Sequence, residues 1–234
     1  MKVIAFNCSP NRDQGTTAML LSPFVEGMKK AGAEVETQYL SDLNIEPCRG
    51  CTDSIQFIPD GECKIMDDMQ GLYRKLKDSD IWVFGSPNYL NNVTSCLKNL
   101  LDRMEPLFES HYDVNVEDKT VTKRVNTGKN GKIVLLSTCG LWGIEHFNLM
   151  VEQMRYVADM FGRELCKPVL RPHAGIMNIL SKLDKNPSDI FEACETACYE
   201  LITGGDFQDE TLDVIKRELV SEDSFIKELS NMVG

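Results

Sequence analysis

The chain has 234 residues, 42% of them hydrophobic, and a formal net charge of -11. That length suits one sizeable α/β domain with an appendage, and the acidity argues against nucleic acid or an anionic membrane as partner, since either would be repelled over most of the surface. No stretch approaches the ~20 apolar residues of a membrane span, the opening run is too short for a signal peptide, and nine scattered cysteines do not read as a disulfide framework, so a cytoplasmic protein is expected.

Taken in order, Val3, Ile4, Ala5 and Phe6 form the short apolar run of a parallel strand buried on both faces. Ser9, Pro10, Asn11 and Gly15 then break regularity, and Thr16 and Thr17 stand where a helix begins. A helix N-terminus carries unpaired amides and the positive end of the peptide dipole, so this loop can hold a phosphate with help from the hydroxyls of Ser9, Thr16 and Thr17. The same residues also make an ordinary turn and N-cap. The spacing fits neither G-x-G-x-x-G nor G-x-x-x-x-G-K-[ST], which disfavours a dinucleotide fold or a nucleoside triphosphatase and leaves a mononucleotide such as a flavin phosphate.

A helix is expected from Thr17 to Ala31, closed by Gly32 and kinked or weakened by Pro23 and Gly27. Residues 34–40 alternate as an edge strand does. Residues 41–67 lack periodicity and hold three cysteines; loops of such length are usually functional. Asp68 to Asp78 reads as a short amphipathic helix, and a third strand from Asp80 is expected to end at Gly85 before Ser86-Pro-Asn-Tyr89. Ser95 to Met104 is a helix with Leu97, Leu100, Leu101 and Met104 on one face. Residues 105–131 read as a polar surface excursion. Lys132 to Thr138 is another buried strand, Phe147 to Phe161 a helix stopped at Gly162, and Glu164 to Pro172 a weak edge strand limited by Pro168. Pro187 to Thr203 is the last helix of the domain, closed by Gly204 and Gly205, and the acidic tail from Asp206 has helical spacing that docks on this subunit or another.

This alternation implies a doubly wound α/β fold with a parallel sheet of order 2-1-3-4-5, helices on both faces and a helical C-terminal extension, divided as 1–205 and 206–234. Ligands on such sheets bind at the carboxyl ends of strands near the switch in strand order. The loops after Ser9, Ser86 and Thr138 should therefore converge, with Ser9–Thr17 and Pro87–Asn92 flanking one crevice and Thr138–Gly143 closing it.

The sequence resembles the flavodoxin-like NAD(P)H-dependent FMN reductases over about residues 1–205. The elements that carry the resemblance are Ser9-Pro-Asn with Gly15-Thr-Thr, Cys48-Arg-Gly-Cys51, residues 61–69, Gly85-Ser-Pro-Asn-Tyr and residues 97–103. It implies FMN held by Ser9, Asn11, Gly15, Thr16, Thr17, Pro87, Asn88, Tyr89, Asn92, Val93, Thr138, Cys139 and Gly140. It further implies that hydride from NADH or NADPH reaches the ring and leaves for a quinone, flavin or other small acceptor, with amides of residues 88–93 and 138–140 stabilising charge on the ring and no side chain needed as a catalyst. A homo-oligomer, dimer or tetramer, using the 105–131 excursion and the tail is expected. Two alternatives stay open: an electron carrier between proteins, and a flavin-free redox sensor using Cys48, Cys51 and Cys63.

Within that group the cysteine loop is similar to the iron-sulfur flavoproteins, whose pattern is C-x2-C-x2-C-x4-7-C. Cys48, Cys51 and Cys63 match, but position 54 is Ser, with eight residues between it and Cys63. Clusters are ordinarily held by four thiolates, so an iron-sulfur cluster is not expected; three cysteines could still take zinc with a fourth ligand, or Cys48 and Cys51 could form a redox pair beside Arg49. Trp142 stacks on a flavin or substrate, or packs under the cysteine loop. Tyr89 borders the flavin or caps its loop. His146 at a helix start is a surface residue rather than a proton donor.

Overall fold

The computed structural model describes residues 1–51, 63–107, 111–115, 117, 120–124, 131–182 and 187–233. Strands β1 (Lys2–Asn7), β2 (Glu34–Tyr39), β3 (Ile81–Pro87), β6 (Lys132–Thr138), β7 (Glu164–Leu165) and β8 (Val169–Arg171) form one sheet, and β4 (His111–Asn115) pairs with β5 (Thr120–Arg124) as a separate antiparallel hairpin. The order is β2-β1-β3-β6-β7, with β8 also on β6, and every ladder of the large sheet is parallel. This is the 2-1-3-4-5 order of a flavodoxin-like fold.

Period-two alternation in the central strands divides the core between the two faces. Val3, Ala5, Ile81, Val83, Val134 and Leu136 face helices α1 (Thr16–Lys30) and α6 (Ser188–Gly204), whereas Ile4, Phe6, Trp82, Phe84, Ile133 and Leu135 face α2 (Met69–Asp78), α3 (Ser95–Asp102) and α4 (Asn148–Met160). Helix α1 runs through Pro23, and Gly27 explains itself in packing: a Cβ there would stand 2.7 Å from the Glu195 carbonyl oxygen and 2.8 Å from its Cα. The residue that weakened the helix as a sequence is what lets α6 approach it.

Several boundaries differ from expectation. β3 runs two residues past Gly85, because Ser86 and Pro87 pair with Ser137 and Thr138 and the ladder closes with Asn88 N–H donating to the Thr138 carbonyl at 2.7 Å. The 105–131 segment contains the β4–β5 hairpin, whose Thr and Val residues fit strands despite their polarity. The edge strand at 164–172 is two short pieces around Pro168, which has no donor for the ladder. Residues Gly175–Lys182 form helix α5, which the sequence reading passed over.

The C-terminal segment forms α7 (Asp209–Lys216) and α8 (Glu222–Val233), and it docks on this chain. Phe207 and Ile215 are buried in the core on the α1/α6 side. Arg171, fully buried on β8, donates through Nη1 to the Ile215 and Arg217 carbonyls at 2.9 and 2.6 Å. Those carbonyls belong to the frayed end of α7, which a cation satisfies well.

Candidate flavin site

At the carboxyl end of the sheet, three loops meet. Asn7 shapes the first: its Oδ1 accepts from Ser9 N at 2.9 Å, and Ser9 Oγ accepts from Asn11 N at 3.2 Å. A Cβ on Gly15 would lie 2.8 Å from Ser9 Oγ, so only glycine closes this turn without displacing the hydroxyl. Helix α1 begins at Thr16; Ala18 and Met19 N donate to the Gly15 carbonyl at 3.0 and 3.4 Å, which leaves the Thr16 and Thr17 amides without an intrahelical acceptor. The two threonine hydroxyls point to the third loop: Thr17 Oγ1 lies 3.0 Å and Thr16 Oγ1 3.3 Å from Thr138 Oγ1. Thr17 is buried and Thr16 only partly so, so Thr17 supports the loop from within while Thr16 lies nearer solvent.

The second loop leaves β3 through Ser86 and Pro87. Tyr89 and Asn92 exchange backbone hydrogen bonds of 3.0 and 3.1 Å around Leu90 and Asn91, whose φ angles are +52° and +57°. Positive φ at both central residues is what a type I′ turn needs, and a leucine held there is strained. Leu90 is 99% exposed at the tip. Thr94 anchors the loop's far end, its Oγ1 donating to the Cys8 carbonyl at 2.9 Å. Val93 N is satisfied by Asn92 Oδ1 at 2.8 Å.

The third loop follows Thr138. Cys139 N donates to the Arg171 carbonyl at 3.0 Å and its own carbonyl accepts from Ala174 N at 2.8 Å, tying the loop to the segment after β8. Burial raises the Cys139 thiol, so it is neutral. Asn88 Nδ2 donates to the His146 carbonyl at 2.7 Å, and His146 Nδ1 lies 3.2 Å from Asn91 Oδ1, clasping the second and third loops together. His146 thus braces the loops, which neither a surface nor a proton-donor reading supplied.

Trp142 packs with the C-terminal tail, not under the cysteine loop. It stacks on His173 at 4.3 Å between ring centroids, and Phe225 of α8 lies against both rings at 5.4 and 6.3 Å. His173 has φ +40°, is buried, and accepts at Nε2 from Arg171 Nη2 at 2.8 Å and from Leu219 N at 3.3 Å. Burial first, then the Arg171 charge, pushes this imidazole down to about 4. It is therefore neutral, with its proton on the buried Nδ1, since Nε2 accepts from both Arg171 and Leu219. The tail thus reaches the third loop.

All thirteen candidate positions lie on these three loops or the strand and helix ends that carry them. Several of the amides expected to face a ring are already used inside the protein: those of Asn88, Tyr89, Asn92, Val93 and Cys139. The amides of Leu90, Asn91 and Gly140 have no acceptor among the described residues, and a Cβ on Gly140 would meet only open space. Leu90 and Asn91 lie within the 88–93 run whose amides were expected to face the ring; what the sequence hid is their positive φ, since Tyr-Leu-Asn-Asn carries no glycine to signal such a turn.

The cysteine loop lies on the α2/α3 side. Asn99 and Arg103 hold its first half through the Ile45 and Glu46 carbonyls. Arg103 and Asp67, both buried, form a bidentate pair at 2.6 and 3.0 Å. Burial pushes the Asp67 carboxyl up, but hydrogen bonds from Arg103 and from the Glu46 and Met69 amides outweigh it and hold the group low. Ser54 lies outside the described residues. Among the described residues no cluster of His, Cys, Asp and Glu side chains is placed to hold a metal ion. Cys96, the distant candidate for a fourth thiolate, points instead to the Cys8 carbonyl at 3.1 Å.

A family model described as NADPH-dependent FMN reductase matches residues 1–161. The chain belongs to that family. It is also similar to an iron-sulfur flavoprotein of Archaeoglobus fulgidus, 39% identical over 103 residues covering 44% of this chain and 48% of the relative. A second iron-sulfur flavoprotein, from Methanocaldococcus jannaschii, is 36% identical over 46% of this chain and 53% of its own length. The matches thus span about half the length of these curated relatives. Among solved structures, an FMN-dependent NADH-azoreductase of Bacillus anthracis in complex with FMN superposes with a TM-score of 0.61 at 13% identity, over 87% of this chain and all of that one. At that identity the likeness shows the fold alone. Among the described residues of this FMN reductase family member, no helix is long and apolar enough to cross a membrane.

Proposed function

We propose that the protein is an FMN-dependent oxidoreductase that takes a hydride from NAD(P)H and passes electrons to a small acceptor such as a quinone or a flavin. The observation that carries this reading is the meeting of three strand-end loops at Thr138, beside the open first turn of α1. The residues fit FMN: Ser9, Asn11, Gly15 and Thr16 with the first-turn amides of Thr16 and Thr17 would take the phosphate, and the missing Cβ at Gly15 lets the turn close against the Ser9 hydroxyl. Pro87, Asn88, Tyr89, Asn92, Val93, Thr138, Cys139 and Gly140 would form the walls, with the Leu90, Asn91 and Gly140 amides as donors to the ring's polar edge. Bound there, FMN supplies two-electron hydride chemistry that side chains lack. Thr17 and Thr138 hold the phosphate loop against the sheet, and the Asn88–His146–Asn91 clasp fixes the wall loops so the donors are in place before ligand arrives.

Residues 1–205 carry this site in our reading, with 206–234 as an extension that braces its third loop. We propose no iron-sulfur cluster, because Ser54 stands where the relatives' pattern has a third cysteine. A second reading is electron transfer between protein partners, through the acidic surface that a net charge of -11 gives the chain. The test is an FMN titration of the purified chain followed by steady-state oxidation of NADH and NADPH with a quinone acceptor. Sustained turnover supports the oxidoreductase; tight FMN without turnover supports the carrier; failure to take up FMN removes both.

A further inference from the structure

We propose that Cys63 is a reactive thiol that reduces small hydroperoxides, with Cys48 or Cys51 as the thiol that resolves it. The three cysteines line one cavity with Ile65, Arg103 and Pro106. Its volume of about 60 Å³ is room for hydrogen peroxide, since one water needs only ~10–15 Å³ measured the same way. Cys48 and Cys51 are exposed and Cys63 half-buried, so an oxidant reaches all three. The remaining cysteines outside this loop are buried, apart from Cys96, which is half-buried with its thiol on the Cys8 carbonyl.

Arg103 distinguishes Cys63. Its guanidinium is almost wholly buried, and after the bidentate pair with Asp67 its Nη2 still lies 3.5 Å from Cys63 Sγ, while its Nε has no partner. Tyr73 donates its hydroxyl to the Arg103 carbonyl at 2.9 Å, which steadies the backbone that carries this guanidinium. The Arg103 Nη2–H thus stands beside the sulfur that would attack, and the sulfur is the nucleophile in thiol oxidation. In the first step the Cys63 sulfur attacks one peroxide oxygen, the O–O bond breaks, and the leaving hydroxide takes a proton to become water, leaving a sulfenic acid. In the second, the Cys48 or Cys51 sulfur attacks Cys63 Sγ, an S–S bond forms, the S–O bond breaks, and a second water leaves. Two thiols lose two electrons and one peroxide gains them. Neither step uses flavin.

The experiment treats the reduced, flavin-free full chain under anaerobic conditions with equimolar hydrogen peroxide, alkylates it, and maps tryptic peptides by mass spectrometry. Cleavage after Lys30, Arg49 and Lys64 puts Cys48 in one peptide and Cys51 with Cys63 in the next. The expected product is either residues 50–64 short of two hydrogens or residues 50–64 linked to residues 31–49, reversible by dithiothreitol and absent in Cys63→Ser. Cys63 should also react at least about tenfold faster than Cys96 in the same sample. A Cys48–Cys51 link alone, Cys63 oxidised no faster than Cys96, or stoichiometric iron and sulfide in the anaerobically purified chain would each overturn the proposal.

Discussion

Two threonines adjacent in sequence have different surroundings, and their variants should separate. Thr16→Ala removes a hydroxyl at the half-exposed first turn of α1, so FMN should weaken about tenfold, the worth of a hydrogen bond to a charged group, with little change in unfolding. Thr17→Val instead breaks the buried contact with Thr138 and should cost about 1–3 kcal/mol of stability. Flavin fluorescence titration and urea unfolding of both variants check the split, and equal FMN loss from both would place Thr17 on the ligand. His173 gives a pH signature. Its imidazole titrates at about 4 in the fold against about 6.5 when unfolded, so between those values the unfolded chain binds the extra proton. Stability should fall as pH drops from about 6.5 to 4, by up to about 3 kcal/mol, and this contribution levels off below. Urea midpoints across that window should show the loss, and His173→Asn, which tolerates the positive φ, should flatten it.

At the scale of elements, the α1–α6 contact is the tightest test of packing. Gly27→Ala should push the helices apart at Glu195 and cost about 1–3 kcal/mol, although alanine favours a helix; a stabilised variant in thermal unfolding would contradict the close approach. Elements with strong periodicity were legible: the strands at Val3–Phe6 and in 132–138, and the helices over α2, α3 and α4, stand within a few residues of their expected places. So was the convergence of the loops after Ser9, Ser86 and Thr138, because sheet order follows from alternation of strands and helices. What escaped depends on partners distant in sequence. The stack of Trp142, His173 and Phe225 joins three segments, and no local pattern marks it. Ile176, Met177 and Leu180 did carry a helical period for α5, but the helix has only eight residues and follows a strained His173 rather than a cap.

For the molecule as a whole, the C-terminal extension is part of the core. Ending the chain at Gly205 would strip Phe207 and Ile215 from the core, expose the apolar face they cover and take two carbonyl acceptors from the Arg171 guanidinium. The shortened chain should be largely insoluble on expression; a stable, FMN-binding 1–205 fragment would show the extension to be dispensable. The β4–β5 hairpin pairs only with itself among the described residues, and an isolated two-stranded hairpin is marginal in water. We therefore expect a dimer or tetramer that covers it, and sedimentation showing a monomer at micromolar concentration would count against this. The rims of the large sheet shape how any such assembly forms. One rim is β2, where Glu34 and Glu36 alternate with partly covered residues; the other is cut into β7 and β8, with Pro168 between them and Lys167 bound to Asp209. The exposed Glu34 and Glu36 on one rim and the Pro168 break on the other blunt both against strand addition, so we expect copies to meet through helices or the hairpin instead.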